Sequence, residues 1–326
     1  MRFLAAFLAL LSLALPTRAS SATNSSALDI LLVVGASGEK EYSQVFSEEV
    51  EDWVKACRAA NKSFRVIDPN TAGTNQFREI KAALGAQSQG EQELWIALIG
   101  HGTFDGKEAK FNLSGPDLSA KQMAELLAPI QRPIILIDTS SSSAPFINEL
   151  SHQNRIIVTA TKSGWEQNYT RFGKYFAKSV TDPSADLDKD GQVSVLEAFL
   201  SASRQVEDFY KSERRLATEH ALLDDNGDGK GTPASFFHGV RPAKKNDESV
   251  TADGFRAHQI QFIPNEAEAK LSPELRKRRN ELEVSLEELR ALKSQMTEDD
   301  YIKQIEPILL DLSKLYRDAG AFSTNP

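Results

Sequence analysis

From Leu28 onward the chain alternates unbroken apolar runs with stretches of helical spacing. Asp29-Ile30-Leu31-Leu32-Val33-Val34-Gly35 is apolar, β-branched and closed by glycine, the pattern of a strand buried on both faces. Ser63 to Asp68, Leu94 to Ile99, Pro133 to Ile137 and Arg155 to Ala160 read the same way. Between them Ser43 to Ala60, Gln76 to Leu84 and Ser119 to Leu127 carry apolar residues at helical intervals. Continuous apolar strands separated by helices predict an α/β fold, a mostly parallel sheet flanked by helices. The working residues of such sheets gather just past the carboxyl ends of the strands. That directs attention to Gly35 to Gly38, Gly100-His101-Gly102, Asp138 to Ala144, and Thr161 to Gly164.

Later segments continue the pattern. A helix over Arg171 to Val180 ends before Pro183, and a longer one runs from Val195 to Lys211. A polar stretch from Pro242 to Asp253 reads as a linker. Ser272 then caps a helix opened by Pro273, with Leu275, Leu282, Leu286 and Leu289 on one face. Ile302, Ile305, Leu309, Leu312 and Tyr316 continue the period in a second helix, with a kink expected at Pro307. The reading divides the chain into an α/β domain over 28–240, a linker over 241–268 and a helical hairpin over 269–326. Ahead of them, Arg2, the apolar run Phe3 to Leu15 and Pro16-Thr17-Arg18-Ala19 form the pattern of a signal peptide over 1–19. A secreted or periplasmic protein is expected, with no membrane span beyond it.

Composition narrows the classes of function. At 326 residues and 40% hydrophobic content the chain can bury a sizeable core. A net charge of −8 argues against a general nucleic-acid binder, whose phosphate contacts need a basic face. The single Cys57 cannot form an internal disulfide, and its helical context makes it an inert thiol. His152, His220, His238 and His258 have no ligand spacing.

The strongest motif runs from Asp186 to Glu197. Asp186, Asp188 and Asp190 fall at positions one, three and five of a twelve-residue EF-hand loop, and Gly191 permits its sharp turn. Gln192 offers its main-chain carbonyl, Ser194 stands where water is often held, and Glu197 is the acid at position twelve. Val193 is the apolar residue by which such loops pin themselves to a neighbour. Oxygen ligands in this number favour Ca²⁺. With Pro183 just ahead, a calcium loop followed by one helix is expected, without a hinged helix pair. A second turn, Asp224-Asp225-Asn226-Gly227-Asp228-Gly229, begins alike, but its position twelve is Ser235. A second Ca²⁺ site and a tight Asx-Gly turn both stay open, and the missing acid favours the turn.

His101 stands between two glycines directly after the third strand, and the fourth strand ends Asp138-Thr139-Ser140-Ser141-Ser142-Ser143. Strand-His-Gly followed by strand-acid-small residue resembles the caspase/hemoglobinase fold, and within it the legumain-like (C13-type) cysteine peptidases. The resemblance runs from about Leu28 to Gly239 and implies a caspase-like domain whose dyad pairs that His with a Cys after the fourth strand. Here Ser140 stands at the Cys position. A Ser hydroxyl is far more basic than a thiol and needs a well-aligned general base. With the signal-peptide pattern and the calcium loop, the resemblance predicts an exported calcium-binding protein on a peptidase fold, non-catalytic, with a possible protein or peptide partner. The alternative is a hydrolase using a Ser140-His101 dyad, with N–H groups near Gly102 and Ser140 as oxyanion donors.

Overall fold

The computed structural model describes residues 28–70, 75–90, 92–245 and 251–320; the signal-peptide reading lies outside them. The apolar runs become the centre of a seven-stranded sheet. Its strands are β1 (Ile30–Val34), β2 (Phe64–Ile67) and β3 (Leu94–Ile99), then β7 (Ile134–Asp138), β8 (Arg155–Thr159), β9 (Leu222–Asp224) and β10 (Thr232–Pro233). Their order is β10-β9-β8-β7-β3-β1-β2, with β2, β1, β3, β7 and β8 mutually parallel and β9 and β10 antiparallel at one edge. Every residue of β3 and β7 is buried, which is why neither alternates apolar with polar positions. The mixed α/β class with a mostly parallel sheet is as expected.

Alternate side chains of these strands feed two cores. One face holds Ile30, Leu32, Trp95 and Ile137 against α1 (Lys40–Ala59), α5 (Phe172–Ser179) and α6 (Val195–Ser212), through Trp53, Phe176 and Phe199. The other holds Leu31, Ile96 and Leu136 against α2 (Gln76–Gly85), α3 (Ala120–Leu127) and α4 (Pro145–Leu150), through Ile80, Met123 and Phe146. A three-stranded antiparallel sheet lies between β3 and α3: β4 (Gly102–Phe104), β5 (Ala109–Phe111) and β6 (Leu118–Ser119). Cys57 is fully buried, and burial holds its thiol up at about 11, so it stays protonated.

The stretch 241–268 departs from the expected linker. It starts in a hairpin of β11 (Phe237–His238) and β12 (Arg241–Pro242) and later forms α7 (Phe255–His258) and α8 (Glu266–Ala269). Phe262 is 0% exposed and stands edge-on to Trp53 and Trp95, with ring centroids 5.6 and 5.0 Å away. An isolated aromatic in a polar stretch has no period, so the pattern did not reveal it as core.

Beyond it α9 (Pro273–Ala291) and α10 (Glu298–Asp318) pair as a hairpin, and α10 runs through Pro307. Arg279 and Glu268, both nearly buried, join the hairpin to the preceding turn at 3.0 Å. Among the described residues no helix is long and apolar enough to cross a membrane.

Candidate functional site

Two regions hold the residues singled out by sequence. The first is the carboxyl edge of β3 and β7, which pair in parallel with Leu98 opposite Asp138. The links carrying His101 and Ser140 therefore leave the sheet on the same side. Gly102 is required there: a Cβ on it would stand 2.1 Å from the Ser141 carbonyl oxygen and 3.0 Å from Ser140 Oγ.

The hydrogen bonds of this edge turn inward. Ser140 is 0% exposed, and its hydroxyl donates to Asp138 Oδ1 at 2.6 Å while its N–H donates to the same oxygen at 3.0 Å. The Gly102 N–H donates to Ser141 Oγ at 3.1 Å, and that hydroxyl returns a bond to the Gly102 carbonyl at 3.0 Å. Ser143 Oγ accepts the N–H groups of Ala160 and Thr161 at 3.1 and 3.2 Å, tying β7 to β8. The polar run Ser140 to Ser143 is thus a buried latch and not an open rim.

His101 is held by rings. Tyr42 stands edge-on at 4.6 Å, Phe46 at 5.2 Å and Tyr169 at 6.3 Å between centroids. Burial lowers its pKa, partly opposed by a hydrogen bond with the Ser37 main chain, which leaves a neutral imidazole favoured. The edge brings His101 and Ser140 to one side of the sheet, yet the Ser140 hydroxyl is given to Asp138 and not to His101. The N–H groups of Gly102 and Ser140, expected as oxyanion donors, are given to Ser141 and Asp138.

Sequence reasoning missed the floor of this edge. Glu49 of α1 is buried beneath it, and the Thr139 hydroxyl is shared between Glu49 Oε1 at 3.1 Å and the Leu98 carbonyl at 2.9 Å. Gly173 makes room for it, since a Cβ there would lie 2.4 Å from Glu49 Oε1. Burial pushes Glu49 up to about 8 and Asp138 up to about 7. A lone Glu in a helical pattern gave no sign of this. Beside His101 a cleft of about 480 Å³ opens, lined by Tyr42, Tyr169, Arg171, Lys174, Tyr175 and Arg215. The Arg171 guanidinium lies 4.3 Å from the centre of the Phe209 ring.

The second region is the acidic loop between α5 and α6. One carboxylate oxygen from each of Asp186, Asp188 and Asp190 lies within 4.8 Å of the others. The turn that gathers them needs left-handed backbone at Lys189 (φ 66°) and Gly191 (φ 87°). Asp186 Oδ1 and Oδ2 accept the N–H groups of Lys189 and Gly191 at 2.7 and 3.1 Å. Burial, with Asp188 and Glu197 nearby, raises the Asp190 pKa.

Glu197 braces the loop from the first turn of α6. Its Oε1 accepts the Leu187 N–H at 2.7 Å, and its Oε2 accepts the Ser194 N–H and hydroxyl at 2.9 and 2.8 Å. The Gln192 side chain bonds Asp190 and the Asn265 N–H, leaving its main-chain carbonyl as its loop ligand. The loop's neighbour is strand-like: Ser194 bridges Gln261, and the Val195 N–H donates to the Ile260 carbonyl at 2.8 Å. These residues fit an oxygen-only cation site, provided Glu197 exchanges N–H donors for the ion.

No family model matches the sequence, and no curated protein matches it. Solved structures similar to the chain include the Drosophila initiator caspase Dronc, at 13% identity and TM-score 0.41, covering 62% of this chain and 81% of that one. Caspase-1 from Spodoptera frugiperda matches at 11% identity and TM-score 0.41, over 61% and 85% of the two chains. A structural-genomics protein from Geobacter sulfurreducens does so at 9% identity and TM-score 0.41, over 61% and 92%.

Proposed function

We propose that this is an exported calcium-binding protein that uses a caspase-like, legumain-like α/β domain as a non-catalytic binding or scaffold module. The observation that carries the reading is the fate of Ser140. A nucleophilic hydroxyl needs a base to receive its proton and a free N–H pair to hold the oxyanion. Here the hydroxyl is buried and spent on Asp138, and the N–H groups of Ser140 and Gly102 are spent within the protein. The legumain-like part of the reading rests on His101 between glycines after β3 and on Asp138-Thr139-Ser140 after β7.

Calcium enters through the first loop. Asp186, Asp188, Asp190, the Gln192 carbonyl and Glu197 supply its ligands, and the ion relieves the repulsion of carboxylates held this close. Export rests on the apolar run Phe3 to Leu15 and is checked by mass spectrometry of the amino terminus of protein recovered outside the cytoplasm. The cleft beside His101, with Arg171, Lys174 and Arg215 on its walls, suits a protein or peptide partner that offers carboxylates.

The test compares wild type with Ser140→Ala, His101→Ala and Ser140→Cys on a peptide library, with and without Ca²⁺. Silence from wild type is expected. Hydrolysis that disappears in both alanine variants establishes the serine hydrolase instead. Weak cleavage gained only by Ser140→Cys supports a peptidase scaffold without its nucleophile.

A further inference from the structure

The turn between β9 and β10 repeats the spacing of the first loop, with Asp224, Asn226 and Asp228 followed by Gly229. Its local hydrogen bonds are those of an Asx-Gly turn. Asp224 Oδ1 accepts the Gly227 N–H at 3.0 Å, Asn226 Oδ1 accepts the Asp228 N–H at 2.8 Å, and Asp228 Oδ1 accepts the Lys230 N–H at 2.8 Å. These bonds account for one oxygen of each carboxylate.

The other oxygens are what a turn does not explain. Asp224 Oδ2 and Asp228 Oδ2 are both buried, and among the described residues neither accepts a hydrogen bond. Asp224 as a whole is 1% exposed. A buried carboxylate oxygen without a donor has lost its water and gained nothing in exchange. Burial raises the Asp224 pKa, the Ser151 hydroxyl opposes that rise, and the nearby Asp228 charge adds to it. A cation between them answers both the missing partner and the repulsion.

The neighbouring acids are already used. Asp253 accepts the N–H groups of Asp225 and Asn226 at 3.0 and 3.2 Å and the Thr232 hydroxyl. Asp225 accepts the N–H groups of Gly254 and Ala257 at 2.9 and 2.7 Å. Arg256 donates to the main-chain carbonyls of Asp225 and Arg155, not to Asp224 or Asp228.

We propose that Asp224 and Asp228, through their Oδ2 atoms and with Asn226 beside them, hold a second divalent cation, Ca²⁺, at the edge of the main sheet. Main-chain carbonyls and water complete an oxygen shell, which hard cations of flexible coordination accept. Ser235 at position twelve gives no bidentate acid, so this site is the weaker of the two. The inference extends the proposed function and does not depend on the first loop.

Equilibrium dialysis of the protein against Ca²⁺, with the bound metal counted by mass spectrometry, separates the sites. Two ions per chain are expected in wild type, one in Asp186→Ala and one in Asp228→Ala. A single ion in wild type that vanishes in Asp186→Ala and survives in Asp228→Ala overturns the second site. A single ion with the opposite behaviour removes the first loop and keeps the second. Should Asp228→Ala fail to fold, Tb³⁺ in wild-type crystals decides. Anomalous density within about 2.6 Å of Asp224 and Asp228 supports the site, and its absence there overturns it.

Discussion

The β3–β7 edge and the loop before α6 both gather carboxyl groups, and they handle the charge in opposite ways. At the edge, Glu49 and Asp138 are buried, and burial lifts them to about 8 and about 7. Burial disfavours their charged forms, so each holds a proton more readily than an open carboxyl. In the loop, Asp188 and Asp190 are exposed while Asp186 is only just buried, and the three stay clustered within 4.8 Å. In the proposed function that charge is met by an ion from outside. A buried edge that spends most of its donors within the protein is stiffened by them, whereas an open cluster with surplus charge can take a ligand.

The largest expected effect is on pH dependence at the edge. Glu49 and Asp138 have folded pKa values above the ordinary 4.5 and 3.8, so between those values and about 8 the folded state holds protons that the unfolded state has released. Stability contributed by their protonation is present at low pH and lost as pH rises through that window, on the order of a few kcal/mol in total. Urea titrations in chelator at pH 5 to 8 read these two together with Asp253, which burial also lifts to about 8, and the loss of slope in Glu49→Gln isolates the edge. A flat profile in wild type would mean that both groups ionise freely and that the comparison is wrong.

Calcium comes next. Ion at a hundred times its dissociation constant should stabilise the protein by about 2.7 kcal/mol. Glu197→Gln should remove most of that gain in thermal melts, while Ser140→Cys should leave it intact. Equal melts with and without chelator for wild type would sink the first loop as a Ca²⁺ site.

What the sequence made legible follows the length of each signal. Ile30 to Val34, Leu94 to Ile99 and Ile134 to Ile137 announce themselves because strands buried on both faces need unbroken apolar runs. The Asp186 triad is legible because its ligands sit at fixed offsets in one short segment. β4 to β6 are two or three residues long in polar surroundings, and their pairing is set by what they pack on. Phe262 and Glu49 take their meaning from residues far along the chain: Trp53 and Trp95 for the one, Thr139 for the other. His101 and Ser140 were rightly assigned to one edge. The Ser140 hydroxyl goes to Asp138 two residues before it, a local Asx-type contact that the Asp-Thr-Ser spacing offers and that the dyad reading passed over.

A smaller pair of effects sharpens the contrast. Ser140→Ala removes one donor to Asp138, and Ser194→Ala removes the cap on the Glu197 N–H. Each should cost about 1 kcal/mol in chelator. Only Ser194→Ala should also change Ca²⁺ binding, strengthening it, because Glu197 Oε2 must release the Ser194 hydroxyl before it can reach the ion. Calorimetric titration of both variants checks this, and equal Ca²⁺ affinities would detach the cap from the ion site.

The smallest effect concerns an imidazole the loop already meets. His258 Nε2 lies 2.9 Å from Asp188 Oδ2, in a pair whose side chains are 37% and 28% exposed. Pairs this open contribute between about 0 and 1 kcal/mol, so His258→Ala should barely move the chelated protein's stability. The same oxygen is a ligand in the proposed calcium site, however, so the imidazole must leave it before Ca²⁺ can bind there. Removing the ring should therefore raise Ca²⁺ affinity roughly twofold, by an amount bounded by the strength of the pair it deletes. A loss of affinity in His258→Ala would mean instead that the ring positions Asp188 for the ion, through the same segment whose Ile260 carbonyl receives the Val195 N–H.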